Sequence, residues 1–108
     1  MSRRCSKSEW DDAVARLTER VTLHPDVQVT YERKPLTAEA GYCEIKDPTG
    51  RFAIVVDSRL SQRETVDTLI HELAHVLDWS HVHGHTQDHG PTWGVRYAYV
   101  YRRYHGVE

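Results

Sequence analysis

His71, Glu72 and His75 have the residue types and the spacing of a zinc site. Two histidines four positions apart on a helix project side by side, near enough for both to bind one tetrahedral zinc ion at about 2.0 to 2.1 Å. The glutamate that follows the first histidine can act on a water molecule held by that ion. The stretch HELAH therefore has the HExxH arrangement of zinc peptidases, and it predicts metal-assisted hydrolysis.

Four more histidines follow the pair, at positions 81, 83, 85 and 89, and compete to be the third protein ligand that a catalytic zinc ion usually takes. His81 has the spacing of the pattern HExxHxxGxxH, in which a glycine ends the helix. Asp78 occupies that glycine position here, and aspartate adopts a left-handed conformation only at some cost. His81 is therefore an alternative ligand rather than the preferred one.

His89 is the third ligand that we favour. It directly precedes Gly90 and Pro91, where the start of a helix would fix the backbone and hence the position of the imidazole. His83 and His85 lie in a polar stretch, and we expect both to be solvated surface residues. The predicted site comprises His71, His75 and His89 as zinc ligands and Glu72 as the catalytic acid-base.

A helix from about Gln62 to Trp79 must position the pair. Ser61 and Glu64 have the S-x-x-E form, in which two backbone N–H groups at a helix start are satisfied reciprocally. At about 100° per residue, an apolar stripe gathers on one side of this helix, and His71 and His75 fall nearly opposite. The helix should therefore pack with one face and present imidazoles with the other. The stripe consists of Val66, Leu69, Ile70, Leu73 and Leu77.

A helix and a strand are predicted near the N-terminus. Ser8 followed by Asp11 indicates the start of a helix from about Glu9 to Val21, whose apolar residues recur on one face. Alternating apolar and polar residues from Val27 to Tyr31 then predict a half-buried strand, which Pro35 closes.

A β-hairpin is predicted next. Gly41 to Lys46 and Arg51 to Asp57 flank Asp47 to Gly50, whose proline and glycine suit a tight reversal. Phe52 to Val56 is the most apolar run in the chain. We expect this strand to be the exposed sheet edge along which an extended peptide substrate pairs by its backbone, with a plain core strand as the alternative.

The C-terminal part is predicted to be a loop followed by a helix. Ser80 to Gly90 is polar, contains two glycines and has no apolar period, and Pro91 suits the first turn of the last helix. Aromatic and basic residues interleave along that helix, a mixture that can stack on and neutralise single-stranded DNA. The periodicity instead favours a buried aromatic side and a solvated basic side. The interleaved residues are Arg96, Arg102 and Arg103 with Tyr97, Tyr99, Tyr101 and Tyr104. The predicted buried side consists of Trp93, Tyr97, Tyr101 and Tyr104.

Composition bounds the class of protein. The 108 residues include 14 Lys and Arg and 16 Asp and Glu, so the net charge is close to zero. The chain as a whole therefore lacks the positive charge that favours binding to nucleic acid or to a membrane surface. No apolar signal region or membrane-length stretch is present in the sequence. Cys5 and Cys43 form no CxxC pair, and we expect both to be packing thiols. We expect a single domain over residues 1–108 and a soluble, cytoplasmic monomer with no membrane partner.

Three blocks of the sequence resemble the SprT-like zinc metallopeptidases, a family that includes the bacterial SprT proteins and the Spartan protease of DNA–protein crosslinks. The blocks are AGYCEIKDPTGRFAIVVDSRL, TLIHELAHVLDW and HGPTW, and they run from about Ala40 through Trp93. The most specific part is HELAH followed, after a polar loop, by His-Gly-Pro and an aromatic residue. The resemblance implies that His71, His75 and His89 bind the metal and that Glu72 is the catalytic acid-base.

The same resemblance implies a fold and a substrate class. The fold is α+β, a compact zincin-like domain in which a small antiparallel-rich sheet packs on the HExxH helix, with N- and C-terminal helices beside it. The substrate is a protein or peptide, and the DNA-linked relatives make DNA association a further implication. Many relatives carry a C-terminal cysteine zinc ribbon, whereas this sequence contains no CxxC.

Several further residues are candidates for supporting roles. Zinc would lower the pKa of a bound water, and Glu72 would take the proton of that water and pass it to the departing amine. Tyr97 and Arg96, near the start of the last helix, are the candidates for stabilising the oxyanion. Asp67 and Asp78 could orient the ligand imidazoles, although such residues are more often only solvated.

Three functions from different classes are consistent with these observations. They are an active zinc endopeptidase, a zinc-containing but catalytically silent interaction module, and a single-stranded DNA-binding protein with a structural zinc. The first is favoured, because a structural zinc site usually closes its fourth position with another protein ligand and has no use for a glutamate beside it. His81, His83 or His85 could still supply that fourth ligand.

Overall fold

Three helices and three strands make up the described part of the chain, in the order helix, strand, strand, strand, helix, helix. The structure is a computed structural model that describes residues 3–47, 50–82 and 90–106, with the backbone alone described at 80–82. The architecture is α+β, as predicted. The helices are α1 (Lys7–Arg20), α2 (Gln62–Val82) and α3 (Pro91–His105), and the strands are β1 (Gln28–Lys34), β2 (Gly41–Asp47) and β3 (Arg51–Asp57).

β3 is the central strand of a mixed sheet with the order β1-β3-β2. β2 pairs with it in the antiparallel sense, which confirms the predicted hairpin, whereas β1 pairs with it in parallel. The prediction of an antiparallel-rich sheet is therefore wrong for one of the two ladders. The chain reverses before β2 and again before β3, so that β1 and β3 run in the same direction. β3 occupies the centre because Phe52 to Val56 are all apolar and buried, and both of its edges are paired there.

Ser6, rather than the predicted Ser8, caps α1. The Ser6 hydroxyl accepts a hydrogen bond from the Glu9 backbone N–H at 3.1 Å, and the Glu9 carboxylate accepts one from the Ser6 N–H at 2.8 Å. Asp11 does not take part, because its carboxylate pairs with Lys7 at 2.8 Å. The longer glutamate side chain reaches back to the cap, and the helix consequently starts two residues earlier than predicted.

α2 begins as predicted and ends later. Glu64 N–H donates to the Ser61 hydroxyl at 3.2 Å, and Ser61 N–H donates to the Glu64 carboxylate at 3.1 Å, which confirms the predicted capping pair. The helix continues to Val82, so residues 80–82 are helical although a loop was expected there. Across the described ranges, no helix combines the length and the apolar character needed to cross a membrane.

The predicted apolar stripe of α2 forms the centre of the core. Its five residues are each at most 8% exposed. They share one core cluster with Leu17 of α1 and with Phe52 and Ile54 of β3. Each buried Leu or Ile side chain stabilises the fold by about 1.5 to 3 kcal/mol. This packing fixes α2 against the sheet and leaves its opposite face, with His71 and His75, directed away from the core.

α3 packs along α2 and also contacts α1. Its buried residues are Val100 and Tyr104, whereas Trp93 and Tyr97 are only half-buried and Tyr101 is 41% exposed. The predicted buried face is therefore wrong for Tyr101. Successive helical residues are about 100° apart, so a contact face centred on Val100 turns the next residue toward solvent.

Candidate metal centre

His71 and His75 lie one helical turn apart on the side of α2 opposite the core stripe, and both are half-buried. Their Nε2 atoms are 3.3 Å apart, and their ring centroids are 5.0 Å apart. Two nitrogen ligands at 2.0 to 2.1 Å from a tetrahedral zinc ion are themselves about 3.3 to 3.4 Å apart. The two imidazoles therefore have the spacing at which both can bind one zinc ion.

Glu72 lies beside the pair and is 7% exposed. Its Oε2 atom is 3.9 Å from Nε2 of His71. The next position along a helix is about 100° around the axis, which turns Glu72 toward β2, where its negative charge contributes to raising the pKa of the Cys43 thiol. A carboxylate at this distance can accept a proton from a water molecule that is held at the two imidazoles.

The predicted third ligand lies outside the described residues. His83, His85 and His89 all fall between Val82, where α2 ends, and Gly90, the N-cap of α3. Within the described ranges, no three His, Cys, Asp or Glu side chains form a group that could hold a metal ion. The structure thus brings together His71, Glu72 and His75, and His89 stays a prediction.

The first turn of α3 lies against the histidine pair. The Trp93 ring centroid is 5.0 Å from that of His71 and 5.5 Å from that of His75. Gly90 is the extended N-cap and Pro91 the first helical residue, which confirms the predicted helix start. Position 89 therefore directly precedes a segment that is anchored beside both imidazoles.

His81 belongs to α2 rather than to a loop. The pattern HExxHxxGxxH requires a helix that ends at its glycine position, but the α2 backbone passes through Asp78 and continues to Val82. Six residues along a helix correspond to about 600° of rotation, so position 81 lies about 120° around the axis from His75. The backbone of α2 does not have the shape that this alternative ligand set requires.

Two adjoining cavities share His71, Glu72 and Gly41. One, of about 450 Å³, lies between β2 and the C-terminal half of α2. The other, of about 380 Å³, lies between Gly41 and α3, and Tyr97 is the residue of α3 that lines it. A groove therefore passes on both sides of the candidate metal position. The larger cavity is lined by Glu39, Gly41, Tyr42, Cys43, Ile45, Phe52, His71, Glu72, His75 and Trp79.

β2, not β3, is the strand at this groove. β3 pairs on both edges, so the prediction that Phe52 to Val56 is the exposed substrate edge is wrong. The most apolar strand maximises burial in the centre, and the more polar β2 is left at the edge. Gly41 allows this strand to approach α2 closely, because a Cβ there would lie 2.6 Å from Cγ2 of Thr68 and 2.8 Å from the carbonyl oxygen of Val55.

Sequence reasoning missed the groove residues of β2 and Trp79. Trp79 could have been found, because it lies four positions after His75 and so shares its side of the helix. Cys43 and Ile45 alternate along β2 in phase with Gly41, but which face they occupy depends on the sheet order. Both cysteines are free, and burial, followed by the charges of Glu72 and Glu44, raises the pKa of the Cys43 thiol to about 12. Cys43 is therefore a neutral packing thiol, as predicted.

Of the two oxyanion candidates, only Tyr97 lines the groove. Burial, and then the nearby charge of Asp67, raises the pKa of the Tyr97 phenol, so that it is a hydrogen-bond donor at neutral pH. Its ring packs against Trp93, with centroids 5.2 Å apart. Arg96 lines neither of the two cavities, and its Nε atom is buried without a hydrogen-bond partner among the described residues.

The two candidate orienting carboxylates differ in their surroundings. Asp67 is exposed and lines the smaller cavity. Asp78 is 1% exposed, and neither of its carboxylate oxygens accepts a hydrogen bond from a described residue. Asp78 consequently does not orient His75 by a hydrogen bond.

The arginines of α3 that are described contact the protein itself. Arg103 donates to the backbone carbonyl of Arg20 at 2.8 Å, and Arg102 donates to that of Ala98 at 3.3 Å. Tyr104 is buried with the Arg16 guanidinium 5.1 Å from its ring centroid. Arg103 and Tyr104 therefore contact α1, whereas Tyr101, Arg102 and Arg103 each have an exposed side chain.

A sequence model described as the SprT-like family matches residues 8–107, which is nearly the whole chain. The match includes all three helices and the three strands almost entirely, and it contains His71, Glu72 and His75. Neither the comparison with curated proteins nor that with solved structures found a match.

Proposed function

The chain belongs to the SprT-like family, and from that premise we propose that it is a zinc-dependent endopeptidase with a zincin-like fold. Family membership supports a protease-related function and an association with zinc. The proposal adds the finer assignment: α2 is the active-site helix, His71 and His75 are zinc ligands, and Glu72 is the catalytic acid-base.

The distance between the two imidazoles carries this proposal. A value of 3.3 Å between the Nε2 atoms equals the separation expected for two ligands of one tetrahedral zinc ion. In the absence of metal the two Nε2 atoms are within hydrogen-bond distance of each other, and zinc would take the place of the proton between them. The Glu72 carboxylate, 3.9 Å from Nε2 of His71, gives this pair the second group that a zinc peptidase requires. His89 is the proposed third ligand, and the support for it is that the segment after it is anchored by Trp93 against both imidazoles.

The proposed reaction is hydrolysis of a peptide bond. When bound, zinc supplies a Lewis acid that polarises the scissile carbonyl and acidifies the attacking water. Glu72 accepts the proton of that water and then donates it to the departing amine. Tyr97 donates a hydrogen bond to the carbonyl oxygen as negative charge develops on it.

The proposed substrate position is the edge of β2 that pairs with no other described strand. An extended peptide that pairs with this edge is held by backbone hydrogen bonds, which demand little of its sequence. β2 lines the same cavity as His71, Glu72 and His75, so a peptide bound there would pass beside the catalytic glutamate. This position replaces the one that the sequence suggested on β3.

The test combines metal analysis with proteolysis. We expect about one zinc ion per purified chain and cleavage of an unstructured protein by the zinc-loaded form. Glu72→Gln should keep the fold and the zinc but lose cleavage, because the nearly isosteric amide cannot accept the proton of the water. Absence of zinc uptake would contradict the metal site, and cleavage by Glu72→Gln at the wild-type rate would contradict the mechanism.

The same assay separates the alternative functions. A DNA-bound protein substrate and an unstructured one are compared, each with and without free single-stranded DNA. Cleavage that requires DNA would establish DNA association as part of the activity. Zinc uptake without cleavage of any substrate would favour the catalytically silent interaction module, and DNA binding without cleavage would favour the single-stranded DNA-binding protein.

A further inference from the structure

The larger cavity has two chemically different ends. His71, Glu72 and His75 form the polar end, on α2. Beyond His75, the lining becomes apolar, and its main apolar side chains come from β2, β3 and α2. They are Ile45, Phe52 and Trp79, with the Cys43 thiol between them and Glu72.

The apolar end has a partly open wall. Ile45 is 42% exposed and lines the cavity from β2. Its cross-strand partner Phe52 is 2% exposed and forms the floor. Trp79 is half-buried and lies one helical turn after His75. Ile45 and Trp79 therefore border an apolar space that opens beside the candidate metal position.

Cys43 separates the two ends without adding a charge. Its pKa is raised to about 12, chiefly by burial, so the thiol is neutral at physiological pH and lines the cavity as a small apolar group. Among the described residues, those that surround the space between Ile45 and Trp79 are Phe52 and Cys43, and neither carries a charge. A charged or strongly polar group placed inside would lose its hydration without gaining a partner.

We propose that this apolar end is a specificity subsite, which takes one aliphatic or aromatic side chain of the peptide substrate next to the scissile bond. The inference rests on the proposed endopeptidase function. The occupant of the subsite follows from its position on the same strand as the proposed peptide-binding edge. A peptide paired with the edge of β2 directs alternate side chains to the face on which Cys43 and Ile45 lie. A side chain directed there enters the space between Ile45 and Trp79 while the backbone lies beside Glu72.

Burying such a side chain makes the preference large enough to measure. Transfer of a Leu or Phe side chain from water into an apolar site favours binding by about tenfold to a hundredfold over a small polar side chain. The zinc-loaded protein should therefore cleave peptides with Leu or Phe at one position next to the scissile bond about tenfold to a hundredfold faster, in kcat/KM, than peptides with Ser or Asp there.

The test uses a peptide set that varies at this position, with Ile45→Ser and Lys46→Ser as matched variants. Both residues are exposed neighbours on β2, but Lys46 does not line the cavity. Ile45→Ser should reduce the preference for Leu over Ser at least fivefold, whereas Lys46→Ser should leave it unchanged. A wild-type enzyme without the apolar preference, or an Ile45→Ser variant that keeps it in full, would overturn the subsite.

A binding measurement tests the subsite even if the proposed endopeptidase function fails. Short peptide hydroxamates with Leu or Ser next to the hydroxamate are titrated calorimetrically into the zinc-loaded protein and its two variants. If no substrate is cleaved, the proposed function fails, but tighter binding of the leucyl probe that is lost in Ile45→Ser would still support the subsite. Equal binding of the two probes, or no binding of either, would overturn it.

Discussion

At the residue scale, the tasks proposed for the two imidazoles and for Glu72 differ because the helix gives these side chains different neighbours. His71 and His75 share one side of α2, and their Nε2 atoms meet at 3.3 Å. Glu72 is turned toward the groove, where β2 and Cys43 surround it. If the proposed function holds, single substitutions should alter metal binding and proton transfer separately, and the predictions for single residues use this separation.

The identity of the third ligand is the first prediction at this scale. His89→Ala should lower zinc affinity by more than about a hundredfold, because loss of a ligand costs more than loss of an outer partner, which costs about 10- to 100-fold. His81→Ala should leave zinc affinity nearly unchanged, since its position is far around α2 from His75. Zinc affinity is measured for both by competition with a chelator. If His81→Ala lost zinc and His89→Ala retained it, the third ligand would be His81 and not His89.

The second prediction at this scale concerns the hydroxyl of Tyr97. Tyr97→Phe should lower kcat on the order of a hundredfold with little change in KM, because a donor to the developing oxyanion acts in the transition state. Zinc content should stay the same. Tyr101→Phe is the control, since Tyr101 is one turn further along α3 and outside both groove cavities. Equal effects of the two substitutions would assign Tyr97 to packing alone.

At the element scale, the groove depends on how closely β2 approaches α2. A side chain at position 41 would force its neighbours to shift, since a Cβ would meet Thr68 at 2.6 Å and the Val55 carbonyl at 2.8 Å. β2 also provides the proposed peptide-binding edge, so the strand-to-helix spacing sets both stability and access. α3 contributes from the other side, through Trp93 and Tyr97.

Two glycine substitutions test this spacing. Gly41→Ala should destabilise the protein by about 1 to 3 kcal/mol, because β2 must move away from α2 to relieve the overlap. Gly94→Ala should stabilise it by about 0.5 to 1 kcal/mol, since Gly94 lies within α3 with nothing near its Cβ direction and alanine is the better helix former. The free energy of unfolding is measured by chemical denaturation. A stable Gly41→Ala protein would show that β2 is not held against α2.

At the scale of the whole molecule, two carboxylates link stability to acid. The Arg59 side chain and then its backbone N–H lower the pKa of Asp57 to about 2. The Arg3 side chain and then the Ser6 backbone N–H lower the pKa of Glu9 to about 2. In an unfolded chain these groups titrate near about 3.9 and about 4.3. Both carboxylates thus bind protons more readily in the unfolded state.

Acid stability follows from the sign of these shifts. A carboxylate whose folded pKa is lowered stabilises the fold above about pH 4, and this contribution is lost as the pH falls from about 4 to about 2. The doubly substituted Glu9→Gln, Asp57→Asn protein should be less stable at pH 5 and should depend less steeply on pH in this window. Thermal unfolding of the metal-free protein at several pH values measures this. An unchanged slope would mean that other groups govern acid unfolding.

The local features of this protein could be predicted from the sequence because they depend on neighbours along the chain. The capping pair of α2, its buried stripe, the β2-β3 hairpin and the start of α3 at Pro91 each follow from hydrogen bonds or periodicities that span a few residues. The same holds for the shared helix side of His71 and His75. One local feature was predicted incorrectly, because two serines could each have capped α1. Ser6 is the cap, since the Glu9 side chain is long enough to reach back to it, whereas Ser8 with Asp11 had been expected.

Only the tertiary structure decided which elements meet. The order β1-β3-β2 placed Phe52 to Val56 in the centre and left β2 at the groove, because burial of the most apolar strand is a property of the whole sheet. The contact of α3 with α2 brought Trp93 to the histidines and Tyr97 to the groove. Residues far apart in sequence come together through packing, which no local pattern encodes. The sequence by itself therefore determined which chemical groups α2 presents, and the tertiary structure determined the groove that lies beside them.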